Sequence, residues 1–395
     1  MDASPPRQLP ASSSINDVAR ATGVSTATVS RALRGLPNVS ETTRAIVRQA
    51  AAELGYVPSS SAAGLASGRT MAMGVVVPTL ELWFYSTVLE GVDAVLRRAG
   101  YDLILFNLGD RHGERERVFD RSILRKRTDA LIALCVDFSA EERRQLASTG
   151  HPTVIVGGAV RGLRHVAIDQ LGAARMATEH LIGLGHKDIA HVAGDAIPGY
   201  TKDAPEQRRR GFQNALAAHG LQNHPEWTVH GAFDLATARG AVAELLERPG
   251  PRPTAIFADS DEMAIGAMVA ARSAGLQVPD DLSIIGIDDH RLAAPFELTT
   301  VAQDPFEQGA LAARMLLEEL RTHTPLKRSV RMPVHLVVRG STAAPPVASP
   351  ASGPALPVAA PASAPAPPVA SEPSLPPAAT APVAPPAASA ATAAS

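Results

Sequence analysis

The sequence predicts a multidomain protein of the α plus α/β class, in which a three-helix helix-turn-helix head precedes a body of doubly wound parallel sheets. Three observations support this prediction: a basic N-terminal segment, a long stretch in which strand-like and helix-like patterns alternate, and a proline- and alanine-rich C-terminus. The boundaries follow from these changes in composition: an N-terminal extension over 1–13, the head over 14–58, a linker over 59–70, the body over 71–342 and a tail over 343–395.

Length and composition exclude several classes of protein. The chain has 395 residues, a formal net charge of −2 and 45% hydrophobic residues, which is typical of a protein with two or three packed domains. Its one cysteine, Cys135, rules out an intrachain disulfide and a zinc site built from cysteines. Apolar runs such as Ala130–Val136 are too short to span a membrane. The N-terminal residues lack the pattern of a secretory signal, so we expect a cytoplasmic protein.

The first element is a pair of short helices. Ser14 can cap a first helix with Asp17 three residues later, and Gly23 suits the left-handed turn that ends it. Ser25 can cap a second helix over Thr26–Leu33. Two short helices joined by a glycine-containing turn match the geometry that places a recognition helix in the major groove of DNA.

A third helix is predicted from Ser40, with Ile46, Val47, Ala50 and Leu54 as its inward stripe. Residues 1–70 contain seven arginines and four acidic residues, so the head favours an anionic partner. The spacing alone leaves a second interpretation open, in which this region is a solvated three-helix bundle without DNA.

The candidate DNA contacts lie on and next to the second helix. Thr26 and Ala27 at its N-terminus can reach base edges, and Arg31 can pair with guanine or a phosphate. The full predicted set from the head is Ser25, Thr26, Ala27, Thr28, Ser30, Arg31 and Arg34.

The stretch INDVARATGVSTATVSRALRGLPNVSETTRAIVRQAAAELGYVP closely resembles the DNA-binding head of the lactose-repressor (LacI/GalR) family of bacterial regulators. The resemblance implies that the linker is a hinge helix that folds on operator DNA, with Leu65 wedging into the minor groove. It also makes Ser59 a candidate DNA contact, although the family usually carries asparagine there and often arginine where this chain has Ala63. Without the resemblance, the linker reads as a flexible segment whose leucine packs on the body.

The body alternates short β-rich runs with amphipathic helices, which indicates βαβ units and parallel sheets covered on both faces. About 270 residues exceed one comfortable core, so two lobes are expected. The predicted strands are Met73–Pro78, Tyr101–Phe106, Ala130–Leu134, Thr153–Val156, His165–Ile168, Ile189–Val192, Ala255–Ala258 and Ser283–Ile287. The predicted helices are 86–99, 114–127, 140–149, 170–184, 206–219, 235–247, 261–274 and 306–321.

The body also resembles the same family, through segments such as EHLIGLGHKDIAHVAG, DSDEMAIGAM and VPDDLSIIGIDD. This resemblance implies a core like that of periplasmic sugar-binding proteins, with a ligand held in the cleft between two lobes. The first lobe is expected to comprise 71–168 with 304–330, and the second 169–303 with 331–342.

The resemblance and the strand ends together suggest an effector site. Arg208 lies where the family places a ligand-binding arginine, Asp288 ends a strand and can accept from two hydroxyls, and Phe233 falls near the family's ring-stacking aromatic. Ser260 stands where the family commonly has an asparagine, which leaves its reach shorter. The complete predicted set is Arg208, Asp288, Phe233, Ser260, Gln303, Phe84 from the loop Thr79–Phe84, and Asp169 with its neighbour Gln170. From the residues alone, an ordinary salt bridge is an equal interpretation of Arg208 and Asp288.

No catalytic, metal-binding or cofactor-binding pattern is recognisable, and Gly157–Gly158 lacks the spacing of a dinucleotide site. The tail contains 15 prolines and 21 alanines, so we expect disorder and no apolar heptads for tetramer formation. These observations predict a dimeric repressor that binds a palindromic operator under the control of a small-molecule effector, a sugar by family resemblance or else a nucleobase. A transport-type sugar receptor would share the body but lack the head, and an enzyme would need a clustered acid, base or nucleophile.

Overall fold

The computed structural model describes residues 13–33, 35–56, 69–109, 115, 127–160, 162–194, 202–325 and 329–346. Within these residues the chain forms ten α-helices, one short 3₁₀ helix and twelve β-strands. The linker over 59–68, the tail from 347 onward and nearly all of the helix predicted over 114–127 lie outside the described residues.

The head consists of three helices, α1 (Ile15–Thr22), α2 (Thr26–Leu33) and α3 (Glu41–Glu53). Gly23 ends α1 in the left-handed conformation, with a φ of 70°, as predicted. Ser40 caps α3 by accepting from the backbone N–H of Thr43 at 3.1 Å. A small core of buried side chains joins the three helices: Val18, Val29, Ala32, Val47 and Ala51.

The predicted inward stripe of α3 is partly wrong. Ile46 is 51% exposed and Leu54 is 36% exposed, whereas Val47 and Ala51 are buried. Since successive helical residues differ in direction by about 100°, a face centred on Val47 and Ala51 turns Ile46 toward solvent. Leu54 follows the last helical residue as the C-cap.

The body contains two six-stranded sheets, each the centre of one lobe. The first sheet has the order β11-β5-β4-β3-β1-β2 and is parallel throughout. Its strands are β1 (Ala72–Val77), β2 (Asp102–Asn107), β3 (Ala130–Leu134), β4 (Thr153–Val156), β5 (Arg164–Ile168) and β11 (Val330–Met332). The helices α4 (Trp83–Ala99), α5 (Ala140–Thr149) and α10 (Pro305–Thr322) belong to this first lobe.

The second sheet has the order β12-β10-β9-β8-β6-β7, and only the pairing of β12 with β10 is antiparallel. Its strands are β6 (Ile189–Ala193), β7 (Thr228–His230), β8 (Ala255–Ala258), β9 (Ser283–Asp288), β10 (Thr299–Ala302) and β12 (His335–Val337). The helices of this second lobe are α6 (Gln170–Gly183), α7 (Asp203–Ala218), α8 (Leu235–Glu247) and α9 (Asp261–Ser273), with the 3₁₀ helix at Pro225–Trp227. Apolar side chains cover both faces of both sheets.

The chain crosses between the lobes three times: at Asp169 before α6, at Gln303–Asp304 before α10, and between β11 and β12. The predicted boundary between 330 and 331 cuts through β11, so the third crossing lies two residues later than expected. Three crossings of one or two residues each form a hinge, with a cleft between the lobes.

Helices α4 and α10 of the first lobe pack with their backbones in contact. A side-chain carbon on Gly91 would overlap the carbonyl of Phe306, and one on Gly309 would overlap the carbonyl of Val88. Glycine at both positions therefore permits an approach that any larger residue would prevent.

Candidate functional site

The cleft between the two lobes contains a partly open cavity of about 80 Å³. Its walls come from the carboxyl ends of strands in both sheets and from the starts of α4, α6 and α7, the usual ligand position in open α/β sheets. The lining residues are Leu82, Phe84, Tyr85, Cys135 and Gly157 from the first lobe, Gln170, Ala204, Pro205, Arg208, Phe233 and Asp288 from the second, and Gln303 at the second crossing.

Arg208 is the cation of this cavity, and it is only 4% exposed. Its Nε donates to Oε1 of Gln170 at 2.7 Å, and its Nη1 donates to the backbone carbonyl of Asp259. The remaining N–H groups of the guanidinium have no partner among the described residues. They are available to a polar ligand in the cavity.

Asp288 is the anion of the cavity and ends β9 in a backbone conformation with a φ of 136°. Its Oδ1 accepts from Nε2 of Gln303 at 2.6 Å, and Oε1 of Gln303 in turn accepts from Gln308 at 2.9 Å. Burial raises the pKa of Asp288 above its ordinary value, while the nearby guanidinium of Arg208 opposes that rise. The cavity thus has a buried carboxylate and a buried guanidinium in its wall.

Two phenyl rings face the cavity from opposite lobes. Phe84, in the first turn of α4, lies against Gly157, where an added side-chain carbon would be 3.2 Å from the ring. Phe233 has a positive φ of 55° and its ring lies directly on Gly194, where a side-chain carbon would overlap it. Each ring thus depends on a glycine behind it for its position.

Six of the predicted effector residues line the same cavity: Arg208, Asp288, Phe233, Gln303, Phe84 and Gln170. Ser260 and Asp169 do not. Ser260 caps α9, its Oγ accepting from the N–H of Met263 at 3.3 Å. Asp169 caps α6 by accepting from Gly172 at 3.0 Å, and its other oxygen pairs with Arg331 at 3.1 Å.

Several lining residues were not predicted, namely Tyr85, Cys135, Gly157, Ala204 and Pro205. Cys135 and Gly157 follow directly after β3 and β4, so strand ends could have pointed to them. Burial raises the pKa of the Cys135 thiol to about 12, so this cysteine behaves as an apolar wall residue.

In the head, the predicted DNA contacts divide into two groups. Thr26, Ala27 and Arg31 are exposed on α2. The hydroxyls of Ser25 and Thr28 lie 2.9 Å apart, and Oγ of Ser25 accepts from the N–H of Thr28, so both residues form the N-cap. Ser30 is partly buried on the same helix, while Arg34, Ser59 and Leu65 lie outside the described residues.

Arg44 has a structural role that the sequence did not suggest. Its side chain is only 12% exposed and lies between α2 and α3. The guanidinium donates to the carbonyls of Ala32, Leu36 and Val39 over 3.3–3.5 Å. Carbonyls at the end of the second helix are thereby satisfied, which holds the turn between the two helices in place.

Among the described residues, no cluster of histidine, cysteine and acidic side chains could hold a metal ion. Within the same part of the chain, no helix is both long enough and apolar enough to cross a membrane.

The head and the body of the chain each match a known protein family. Residues 14–59 match the family described as "Bacterial regulatory proteins, lacI family", and residues 178–342 match "Periplasmic binding protein-like domain". Catabolite control protein A of Priestia megaterium is 35% identical over 335 residues, which cover 83% of this chain and 98% of that protein.

Solved structures with a similar fold include a Lac repressor dimer bound to operator and the anti-inducer ONPF. It is 27% identical, with a TM-score of 0.73, and the alignment covers 84% of this chain and 99% of that one. The complex of the transcriptional regulator CelR with cellobiose is 30% identical, with a TM-score of 0.62, over 83% of this chain and 99% of that one. Both matches extend across head and body.

Proposed function

The chain belongs to the lacI family of bacterial regulatory proteins, and on this premise we propose that it is a dimeric repressor whose affinity for operator DNA depends on a ligand in the cleft. It is a DNA-binding transcriptional regulator and not an enzyme. Two heads would bind the half-sites of a palindromic operator, with the α2 helices about one helical turn of DNA apart. Because it acts on chromosomal DNA, we place it in the cytoplasm.

The exposed face of α2 supports this role for the head. Thr26 and Ala27 lie in the first turn of the helix, where side chains can reach base edges in the major groove. Arg31 lies in the last turn, and its guanidinium can donate hydrogen bonds to a guanine or to a phosphate. We assign Leu65 and Ser59 of the linker to minor-groove contacts, as the family resemblance implies.

The effector would bind in the cavity between the lobes. The observation that carries this proposal is the convergence of Arg208, Asp288 and Gln303 with two aromatic rings on one cavity. A buried donor beside a buried acceptor suits a compact molecule with hydroxyl groups, and the rings suit its apolar face. We therefore propose a monosaccharide-sized sugar or sugar derivative. The regulator CelR, solved with cellobiose, shows that a protein of this fold can hold a sugar.

A nucleobase or nucleoside is the second candidate. Phe84 and Phe233 approach the cavity from opposite lobes, an arrangement that would hold a flat ring between two faces. The volume of about 80 Å³ favours a ligand of one or two rings over a longer one.

Coupling between ligand and operator would pass through the three crossings. A ligand that touches Arg208 and Asp288 on one lobe and Phe84 on the other stabilises the closed cleft. Closure moves the first lobes, from which the linkers lead to the heads. A coupling free energy of about 1–3 kcal/mol would change operator affinity by about 5–150-fold.

Fluorescence anisotropy tests both halves of the proposal. The full chain is titrated onto a labelled duplex from the region upstream of its own gene, at several salt concentrations and beside a scrambled duplex. Thermal-shift assays with D-ribose, D-glucose, guanine and cytidine select a ligand, which is then added to the titration. We expect salt-sensitive, sequence-selective binding that the selected ligand changes. Equal binding of both duplexes would contradict DNA recognition, and Leu65→Ala with unchanged affinity would contradict the hinge assignment.

A further inference from the structure

Near the cavity lies a buried, hydrogen-bonded pair of a histidine and an aspartate that does not line it. His191 is in β6 and Asp259 directly follows β8, the neighbouring parallel strand. Nε2 of His191 is 2.8 Å from Oδ1 of Asp259, and the two side chains are 1% and 0% exposed. Removing such a pair from water is costly, and apolar residues could fill the same space, so core packing alone does not account for it.

Asp259 contacts two separate elements of the effector site. Its Oδ2 accepts from the backbone N–H of Gly194 at 2.8 Å, and its backbone carbonyl accepts from Nη1 of Arg208. Gly194 is the residue on which the ring of Phe233 lies. One acidic residue is thus bonded both to the cation of the site and to the support of one of its rings.

His191 in turn fixes Asp259. Its ring is stacked against Phe212, with centroids 4.9 Å apart, and against Phe257, at 5.2 Å, in a cluster in which the two phenyl rings are 6.0 Å apart. Nδ1 is buried and has no partner among the described residues, so the proton lies on Nε2, which donates to Asp259. Phe212 lies one helical turn after Arg208 on α7, so the histidine ring also contacts the helix that carries the arginine.

We propose that His191 and Asp259 are positioning residues of the effector site, which hold Arg208 and the Gly194–Phe233 support in the geometry that binds ligand. This inference rests on the proposed effector function of the cavity. It predicts that the pair matters for ligand affinity even where it contributes nothing to stability.

The test compares His191→Leu, the double variant His191→Leu/Asp259→Ala, and His191→Gln, which retains a donor. The single leucine variant leaves a buried carboxylate without its histidine donor and is expected to lose stability, whereas the double variant removes both polar side chains and recovers it. A matched control is His186→Leu/Thr254→Val, which removes another buried histidine contact, of 2.9 Å, beside the amino ends of β6 and β8.

The first readout needs no ligand. In ¹⁵N-arginine-labelled full-length protein, the Nε–H signal of Arg208 is assigned by its loss in Arg208→Lys, and its hydrogen exchange is measured. We expect exchange to accelerate on the order of tenfold in the double variant, and to remain near the wild-type rate in His191→Gln and in the control. In ¹⁵N-histidine-labelled protein, His191 should show the Nε2–H tautomer.

The second readout is calorimetric affinity for D-ribose and for guanine. We expect a loss on the order of tenfold in the double variant at a melting temperature close to that of the wild type. Wild-type affinity together with wild-type Arg208 exchange in the double variant would overturn the proposal. If neither compound binds the wild type, the assigned ligand classes fail, whereas the arginine exchange still decides the role of the pair.

Discussion

Trp83 of the first lobe and His290 of the second lobe are in edge-to-face contact, with ring centroids 4.6 Å apart and planes inclined by 69°. The histidine is fixed from behind, because its backbone N–H donates to Asp261 at 2.8 Å and its Nδ1 accepts from Leu292 at 3.0 Å. A second tie between the lobes is the bond from the backbone N–H of Ala159 to Oδ2 of Asp203, at 3.2 Å. These contacts hold the cleft closed.

Removing the histidine ring should loosen this closure. In a Trp227→Phe background, where Trp83 is the remaining tryptophan, we expect His290→Ala to shift its emission to the red and to increase acrylamide quenching. An aromatic contact of about 0.5–1.5 kcal/mol corresponds to a severalfold change in the ratio of open to closed protein. Leu292→Ala, at a neighbouring exposed position, is the control. Identical spectra and quenching in His290→Ala would contradict the closure role.

Arg208→Lys should abolish the effector response and leave operator binding intact. Lysine keeps the charge but cannot bond to Gln170 and to the carbonyl of Asp259 while also reaching a ligand. Loss of bonds to a charged group costs about 1.5–3 kcal/mol, so ligand affinity should fall about 10–100-fold. Calorimetry measures the ligand and anisotropy measures the operator. The exposed neighbour Arg209→Lys serves as the control, and equal affinity in both variants would rule out the assignment.

Two arginines of the head should respond differently to salt. Arg31 is exposed on α2, so Arg31→Ala should lower the slope of log affinity against log salt by about 1 if it contacts a phosphate. Arg44→Met should weaken binding without altering the slope, because its guanidinium is bonded to the carbonyls of Ala32, Leu36 and Val39. Anisotropy titrations at four salt concentrations give both slopes. A reduced slope for Arg44→Met would show a phosphate contact instead.

Gly194→Ala should displace the ring of Phe233, because the added methyl group would overlap it. We expect a ligand affinity reduced at least about tenfold, comparable to losing the aromatic contact of the site. Gly240→Ala in α8, where nothing lies within 4 Å of the added carbon, should leave ligand binding unchanged and raise stability by about 0.5–1 kcal/mol. Thermal shifts with and without ligand measure both effects, and an undiminished ligand shift in Gly194→Ala would refute the prediction.

Asp261→Asn should flatten the dependence of stability on pH. Burial, followed by the nearby charge of Asp288, raises the pKa of Asp261 in the folded protein. The folded chain therefore holds a proton that the unfolded chain releases near its ordinary pKa of roughly 4. The resulting stability is fully present below that pH and is lost as the pH rises toward and through the raised value.

The measurement is chemical denaturation between pH 4 and 8, with the exposed Asp280→Asn as the control. The wild type and the control should lose more than about 1 kcal/mol over this range, and Asp261→Asn distinctly less. Parallel curves for all three proteins would show that Asp261 does not carry the dependence.

Most of the longer helices and strands could be predicted from the sequence, whereas the shortest strands could not. The eight predicted strands of the body appear within one or two residues of their expected limits. The missed strands are β7, β10, β11 and β12; β7, β11 and β12 have three residues each, too few to show a period of two, and β10 has four. On α3, the placement of Ile46 failed because an error of one residue turns a side chain by about 100°.

The residues of the site were also only partly predictable from the sequence. Arg208, Asp288 and Phe233 were found through family resemblance and the ends of strands, and they line the cavity. Ser260 and Asp169 also follow strands, but each precedes a helix, and the unsatisfied N–H groups of that helix engage their side chains. His191 and Asp259 are 68 residues apart, and no local pattern connects them.

The glycines of α4 and α10 have a mechanical consequence. Since the two backbones are in contact at Gly91 and Gly309, we expect a shift or tilt of one helix to move the other with it. Helix α4 begins one residue before Phe84, and α10 begins two residues after Gln303, so the first turns of both helices lie next to residues that line the same cavity. A ligand that displaces either Phe84 or Gln303 therefore acts on two helices that are packed to move as one unit.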